Sequence, residues 1–270
     1  MRPDTTPGQR TRTGILHLTF EEKRGKTVLA RDQQKAPLMI IRPFELPCGT
    51  LMVFVVNPTG GVLGGDHSEI VAEVGAGARV LILTQSATRL QPSPSGARAT
   101  QDIRFRVASG GRLEYYPERT LPFAGSAFAQ TVRADLEDGA ELGLSETLAS
   151  GRVHMGERLA FADYRSRVEV WNATTRLYLD HLKLEPGQHT RAPGVWGDLD
   201  YAASGVWVGS GSVQHWPALP GQLACGHTAG GAVWLRSASR RGPELDRALN
   251  AARESLRAQV FGAQPLQVRR

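Results

Sequence analysis

The chain has 270 residues, 41% of them hydrophobic and 21% charged. That composition supports one large packed core or two small ones. No apolar run approaches the ~18 residues of a membrane-spanning helix, and MRPDTTPGQRTRT lacks the apolar stretch of a secretory signal. Residues 1–13 are therefore expected to form a flexible arm ahead of a single β-rich domain over 14–270. The two cysteines, Cys48 and Cys225, make no disulfide framework and fit a reducing cytoplasm. The net charge of +6 comes almost entirely from arginine, since there are only four lysines. The arginines are scattered, without basic runs or interleaved aromatics, so neither a nucleic-acid nor a membrane partner is expected.

Residues 14–19 and 26–30 read as short opening strands around a charged turn at 21–25. Over 33–43, Pro37 and Pro43 favour an extended, irregular crossing. Residues 51–56 form an apolar strand. NPTGGVLGGD follows at 57–66, placing Gly60-Gly61 and Gly64-Gly65 around one apolar dipeptide and closing on Asp66. Glycine admits positive φ and close approach of another backbone. One β-turn between strands is the simple reading, but two glycine pairs and an acid exceed what one turn needs.

Three segments then resemble one another: EVGAGARVLILTQ from Glu73, RVASGGRLEYYPE from Arg106 and DLEDGAELGLSET from Asp135. Each turns at a glycine (Gly77, Gly110, Gly139) and resumes on an apolar residue (Val80, Leu113, Leu142). Spacing of about thirty residues fits stacked β-layers, as in a solenoid or a large sandwich, and an antiparallel meander would look similar. If the copies stack, Thr84, Pro117 and Glu146 are equivalent, and Gln85, Glu118 and Glu146 share one ridge.

Strands are expected at 165–171 and 176–182 around a turn at 172–175, and buried strands at 206–208 and 232–235. Trp196, Trp207, Trp216 and Trp234 in this looser region read as an apolar patch for a partner, or as core. From Pro243, apolar residues recur at Leu245, Leu249, Ala252, Leu256 and Val260. That stripe predicts one amphipathic helix over 243–261, with Pro243 in its first turn.

No Ser-His-Asp arrangement or nucleophile elbow is visible. Residues 57–66 carry neither the lysine of a phosphate loop nor a following helix, so no nucleotide hydrolysis is expected. Cys225 and His227 offer two metal ligands without a second pair. Glu146 stands inside an apolar strand, and GRVHMGE follows at 151–157. A carboxylate there is costly unless paired or liganded. One reading is a salt bridge from Glu146 or Glu157 to Arg152. The other is transient binding of a divalent transition ion by Asp66, Glu146 and Glu157, with His154.

Together, NPTGGVLGGD, TQSATRL from Thr84, YYPERTLPFAGSA from Tyr115, the isolated Glu146 and GRVHMGE resemble the UreD (UreH) family of urease accessory proteins. The similarity runs from Ile15 to the C-terminal helix. The family's longer LPxExIxFxxA pattern is shortened here to Leu121-Pro122-Phe123-Ala124 after Pro117-Glu118. The resemblance implies a mainly β fold of stacked, helix-like sheets with few helices. It implies no enzymatic activity and no tightly bound cofactor. It implies a complex with UreF and the GTPase UreG that docks on apo-urease and helps deliver nickel. A water-filled nickel route is implied too, with Asp66, Glu146, Glu157 and His154 as candidate lining and Gly60, Gly61, Gly64 and Gly65 as a structural loop. The alternative is a β-solenoid enzyme or carbohydrate-binding protein using an acid pair.

Overall fold

A computed structural model describes residues 11–93, 95–187, 189–192, 195–216 and 222–268. Of the expected N-terminal arm, residues 1–10 lie outside the described residues. The chain enters an antiparallel hairpin of β1 (Thr13–Lys23) and β2 (Lys26–Lys35), then crosses through β3 (Met39–Ile40) and β4 (Phe44–Glu45). Both hairpin strands run longer than their apolar residues alone predict: β1 lies between β7 and β2, and β2 follows it along its length.

From there the backbone winds in coils of three strands. The first coil is β5 (Leu51–Val56), β6 (Val62–Leu63) and β7 (His67–Val74). The second is β8 (Arg79–Thr84), β9 (Thr88–Gln91) and β10 (Ala99–Val107). The third is β11 (Arg112–Tyr115), β12 (Thr120–Pro122) and β13 (Ala127–Leu136). A fourth has β14 (Glu141–Ala149), a 3-10 turn at Val153–Met155 and β15 (Asp163–Asn172). Equivalent strands pair in parallel: β5 with β8, β8 with β11 and β11 with β14 on one face, and β7, β10, β13 and β15 on another. The narrow third face is β6, β9 and β12. Parallel pairing makes the fold a β-solenoid and removes the meander reading. Gly77, Gly110 and Gly139 turn the same corner of successive coils with φ of +74°, +71° and +78°, and Val80, Leu113 and Leu142 fall in one cross-strand row.

Strand β16 (Thr175–Leu184) pairs antiparallel with β15 and ends the seven-stranded sheet. On the other sheet β17 (Tyr201–Val208), β18 (Gln222–His227) and β19 (Val233–Ser239) add antiparallel strands in the order β14-β17-β19-β18. In-register apolar rows fill the space between the sheets, as in Ile70, Ile103, Val132 and Val168.

The sheet built on β5, β8, β11 and β14 is buried on both faces, and β5 and β8 accordingly read as nearly continuous apolar runs. Its outer face is covered by helix α1 (Gly242–Phe261). The apolar stripe of α1 packs on Leu81, Leu83, Trp207 and Leu235, and Gly262, at φ +58°, ends the helix. Beneath it Arg257, 2% exposed, donates to the carboxylate of fully buried Glu114 at 2.9 Å. Arg253 donates to Ser145 at 2.8 Å. Among the described residues no helix is long and apolar enough to cross a membrane.

The tryptophan patch is largely core. Trp207 is fully buried, Trp196 is 6% exposed, and Trp234 packs against the inter-sheet core. Only Trp216, at 40%, is open among these four. Two-sided burial of their sheet absorbs Trp207 and Trp234, and Trp196 packs in the cluster of Phe128, Phe161 and Tyr164.

Two stability outcomes follow from this packing. A Cβ on Gly64 would collide with the Ala97 carbonyl and lie 2.5 Å from Ser93 Cβ, whereas one on Gly60 meets nothing within 4 Å. In denaturant unfolding, Gly64→Ala is expected to cost about 1–3 kcal/mol, and Gly60→Ala less than about 1 kcal/mol. Arg257→Met strands a buried carboxylate and is expected to cost about 3–5 kcal/mol, most of it recovered when Glu114 is also made apolar.

Candidate functional site: a polar seam between the sheets

Parallel stacking that aligns apolar rows aligns polar ones too. On the inner face of the seven-stranded sheet, Ser68, Gln101, Gln130 and Ser166 occupy successive cross-strand positions. On the facing sheet Glu146 lies opposite Ser204, and Ser204 opposite Arg236. These residues form a polar seam through an otherwise apolar interior.

Glu146 is its centre. Inner-face neighbours Leu142, Leu144 and Leu148 on β14 show that its side chain points between the sheets. Gln130 Nε2 donates to Glu146 Oε1 at 2.7 Å and lies 3.0 Å from Ser166 Oγ. No cation lies in ion-pair range of Glu146 among the described residues. Burial pushes its carboxyl up, the Asp180 charge adds to the rise, and hydrogen bonds from Gln130 and Ser166 oppose it; the outcome is about 7.

The accessible surface that Glu146 retains belongs to a cavity of about 360 Å³, lined also by Tyr164, Ser166, Asp180, Ser204 and Arg236. The space exists because Ala202, Ser204, Ala224 and Ala238 are too small to fill it. Asp180, on β16, is paired with Arg236 on β19. A second cavity of about 120 Å³ lies toward the glycine loop, with Asn57, Thr59, Ser68, Thr84, Gln101 and Tyr115 in its wall. Tyr115, in the wall of the second cavity, lies close enough to Glu146 to feel its charge. Its phenol is raised by burial and then by the nearby Glu146 charge, and Tyr164 is raised in the same way from the other side.

The other acids marked in the sequence sit elsewhere. Asp66, 5% exposed, accepts from the backbone N–H of Arg12 at 2.9 Å and of Leu63 at 3.0 Å. It closes the turn after β6 and pins the start of β1. Within the same loop Gly61 and Gly65 adopt φ of +133° and +92°. A Cβ on Gly61 would strike the Arg89 carbonyl of the next coil. Residues 57–66 are thus two glycine corners around β6, the narrow face of the first coil. Glu157 takes the salt bridge to Arg152, with Nε at 2.8 Å, and accepts from Ala124 N–H at 3.2 Å. The Arg152 hydrogen bond holds its carboxyl below the usual range. His154 is exposed on the 3-10 turn. Asp66, Glu146, Glu157 and His154 therefore do not converge. Among the described residues no three His, Cys, Asp or Glu side chains gather as a metal cluster. Cys225 and His227 lie two apart on β18, with His227 against the Trp216 ring at 5.3 Å.

The acid that does share a cavity with Glu146 is Asp180, which the sequence did not single out; Gln130, Ser166 and Arg236 were missed with it. The available signal was phase. Gln130 falls on the same alternation as Phe128, Val132 and Ala134, so it must point inward. The cavity wall carries two carboxylates, several hydroxyls and the Arg236 guanidinium. Its oxygen donors suit a divalent cation held weakly with its waters.

The family model described as UreD urease accessory protein matches residues 12–270. A urease accessory protein UreD of Deinococcus radiodurans is 64% identical over 269 residues, covering 97% of this chain and 96% of that protein. The protein of that name from Herpetosiphon aurantiacus is 35% identical over 78% of this chain and 74% of its own length. The one from Haloarcula marismortui is 31% identical over 97% and 91%. These relatives are named as accessory proteins rather than enzymes. The chain belongs to the UreD family of urease accessory proteins.

Proposed function

We propose that this protein is a cytoplasmic, non-catalytic urease maturation factor. In this reading it joins UreF and the GTPase UreG in a complex on apo-urease, and nickel crosses its interior along the polar seam on the way to the urease active site. The observation that carries the reading is Glu146, a carboxylate with no cation in ion-pair range among the described residues, facing a cavity between the sheets and sharing it with Asp180. Strong thiolate or imidazole sites would retain nickel, which stands high in the affinity order for such ligands. Oxygen donors in a hydrated space exchange more readily and leave waters on the ion. Glu146 adds a control: protonated it is neutral, and ionised it attracts a divalent cation. Of the four residues first marked as a nickel path, Glu146 is the one retained on it. Asp66 and Glu157 are held by backbone amides and by Arg152.

Glu146→Gln preserves size and hydrogen bonding while removing the charge. It is expected to lower the nickel content of urease at least roughly tenfold, while the complex with UreF and urease still elutes intact. Normal nickel loading would sink the passage reading.

The same group gives a pH signature. Its folded value of about 7 stands above the ordinary 4.5, so the folded protein holds the proton more tightly across that window. Stability from this source is greatest at its acid end and falls as pH rises through 7. The total fall is up to about 3 kcal/mol. Denaturation at pH 5 and pH 8 should show this fall in the unmodified protein and not in Glu146→Gln. Nickel affinity should rise over the same interval, because the metal competes with the proton.

A further inference from the structure

We propose that the Arg236–Asp180 ion pair is a cation-displaceable gate on the larger cavity, at which an entering divalent ion takes the place of the Arg236 guanidinium on Asp180. The inference rests on the passage reading above and assigns a role to two residues outside it.

Topology places the pair at an opening. β16 is the last strand of the seven-stranded sheet, and the β18–β19 hairpin is the last of the other; among the described residues no β-ladder joins them. Arg236 reaches across this gap to Asp180. Register places it on the seam: Glu146, Ser204 and Arg236 form one row, so the backbones of Glu146 and Arg236 are roughly 10 Å apart across two strand spacings. The small Ser204 and Ala224 flank Arg236 in the cavity wall. The pair is also polarised in depth, with the Arg236 side chain 49% exposed and that of Asp180 10%. The cation is on the solvent side and its carboxylate on the cavity side.

Charge balance explains why an exchange can work. An arginine cannot shed its proton, so it neutralises Asp180 only by staying and releases it only by moving. A divalent ion held between Asp180 and Glu146 supplies the positive charge that Asp180 loses when the guanidinium turns out to water. The hairpin does not depend on the ion pair for its position. Thr228 Oγ1 donates to the Leu177 carbonyl at 2.8 Å, and Gly230 packs on the same residue. The gate therefore opens by a side-chain rotation while the two edges stay together.

The test is calorimetric titration of the full chain with Ni²⁺ at pH 8, comparing Arg236→Met, Arg236→Lys, Asp180→Asn and Glu146→Gln with the unmodified protein. Circular dichroism checks each fold. Arg236→Met should bind Ni²⁺ roughly tenfold more tightly, Arg236→Lys should fall between it and the unmodified protein, and Asp180→Asn should weaken binding. Unchanged affinity in Arg236→Met with weakened binding in Glu146→Gln overturns the gate and leaves the passage standing. Unchanged affinity in both overturns both. Should Arg236→Met misfold, the unmodified protein decides by NMR with diamagnetic Zn²⁺. The Arg236 Nε–H resonance must move to a solvent-exchanging position as the ion binds, and a resonance that stays fixed through saturation overturns the gate.

Discussion

Each coil of this solenoid repeats the register of the one before it, and that constraint decides what the interior contains. A side chain on an inner face is followed, one strand spacing away, by the residue at the equivalent place in the next coil. Apolar residues therefore accumulate in rows such as Ile70, Ile103, Val132 and Val168. A single buried polar residue in such a stack would be stranded at considerable cost. Here it is not single: Ser68, Gln101, Gln130 and Ser166 extend it into a row, and Glu146 answers from the facing sheet. The polar seam is a product of the stacking, and the small residues of β17, β18 and β19 open it into a cavity.

A second consequence concerns the helix. A parallel sheet buried on both faces needs a cover, and α1 supplies it at the C-terminal end of the chain. The Glu114–Arg257 pair lies in that interface, fully desolvated, and links the third coil to the helix. The molecule thus holds buried charge in two settings. Against the helix the charge is paired and packed. Between the sheets Glu146 has no cation in range among the described residues, beside space for one. That contrast separates a structural carboxylate from a functional candidate more firmly than burial alone.

Much of the architecture was legible from local chemistry. The glycine corners at Gly77, Gly110 and Gly139 and the apolar residues that follow them aligned correctly, because each coil must turn at the same place. The helix was legible because its stripe has a period that no strand shares. Parallel against antiparallel pairing was not legible, since alternation within a strand is the same in both. Glu146 stood out as an acid among leucines. Asp180 and Arg236 did not, because each reads as an ordinary charge on an alternating strand; only the closure of the two sheet edges brings them to one cavity. Asp66 and Glu157 illustrate the opposite case. An acid beside glycines attracts notice in sequence, yet in the fold Asp66 caps a turn and Glu157 pairs with Arg152.

The passage reading depends on an ion reaching the seam rather than the surface, where His154, Cys225 and His227 offer softer ligands. Diffraction at the nickel absorption edge, from crystals of the full chain soaked in Ni²⁺ at pH 8, locates the metal without reference to activity. An anomalous peak inside the larger cavity, in contact with the Glu146 carboxylate, is the result expected. Peaks confined to His154 or to Cys225 and His227, with none in the cavity, would contradict it.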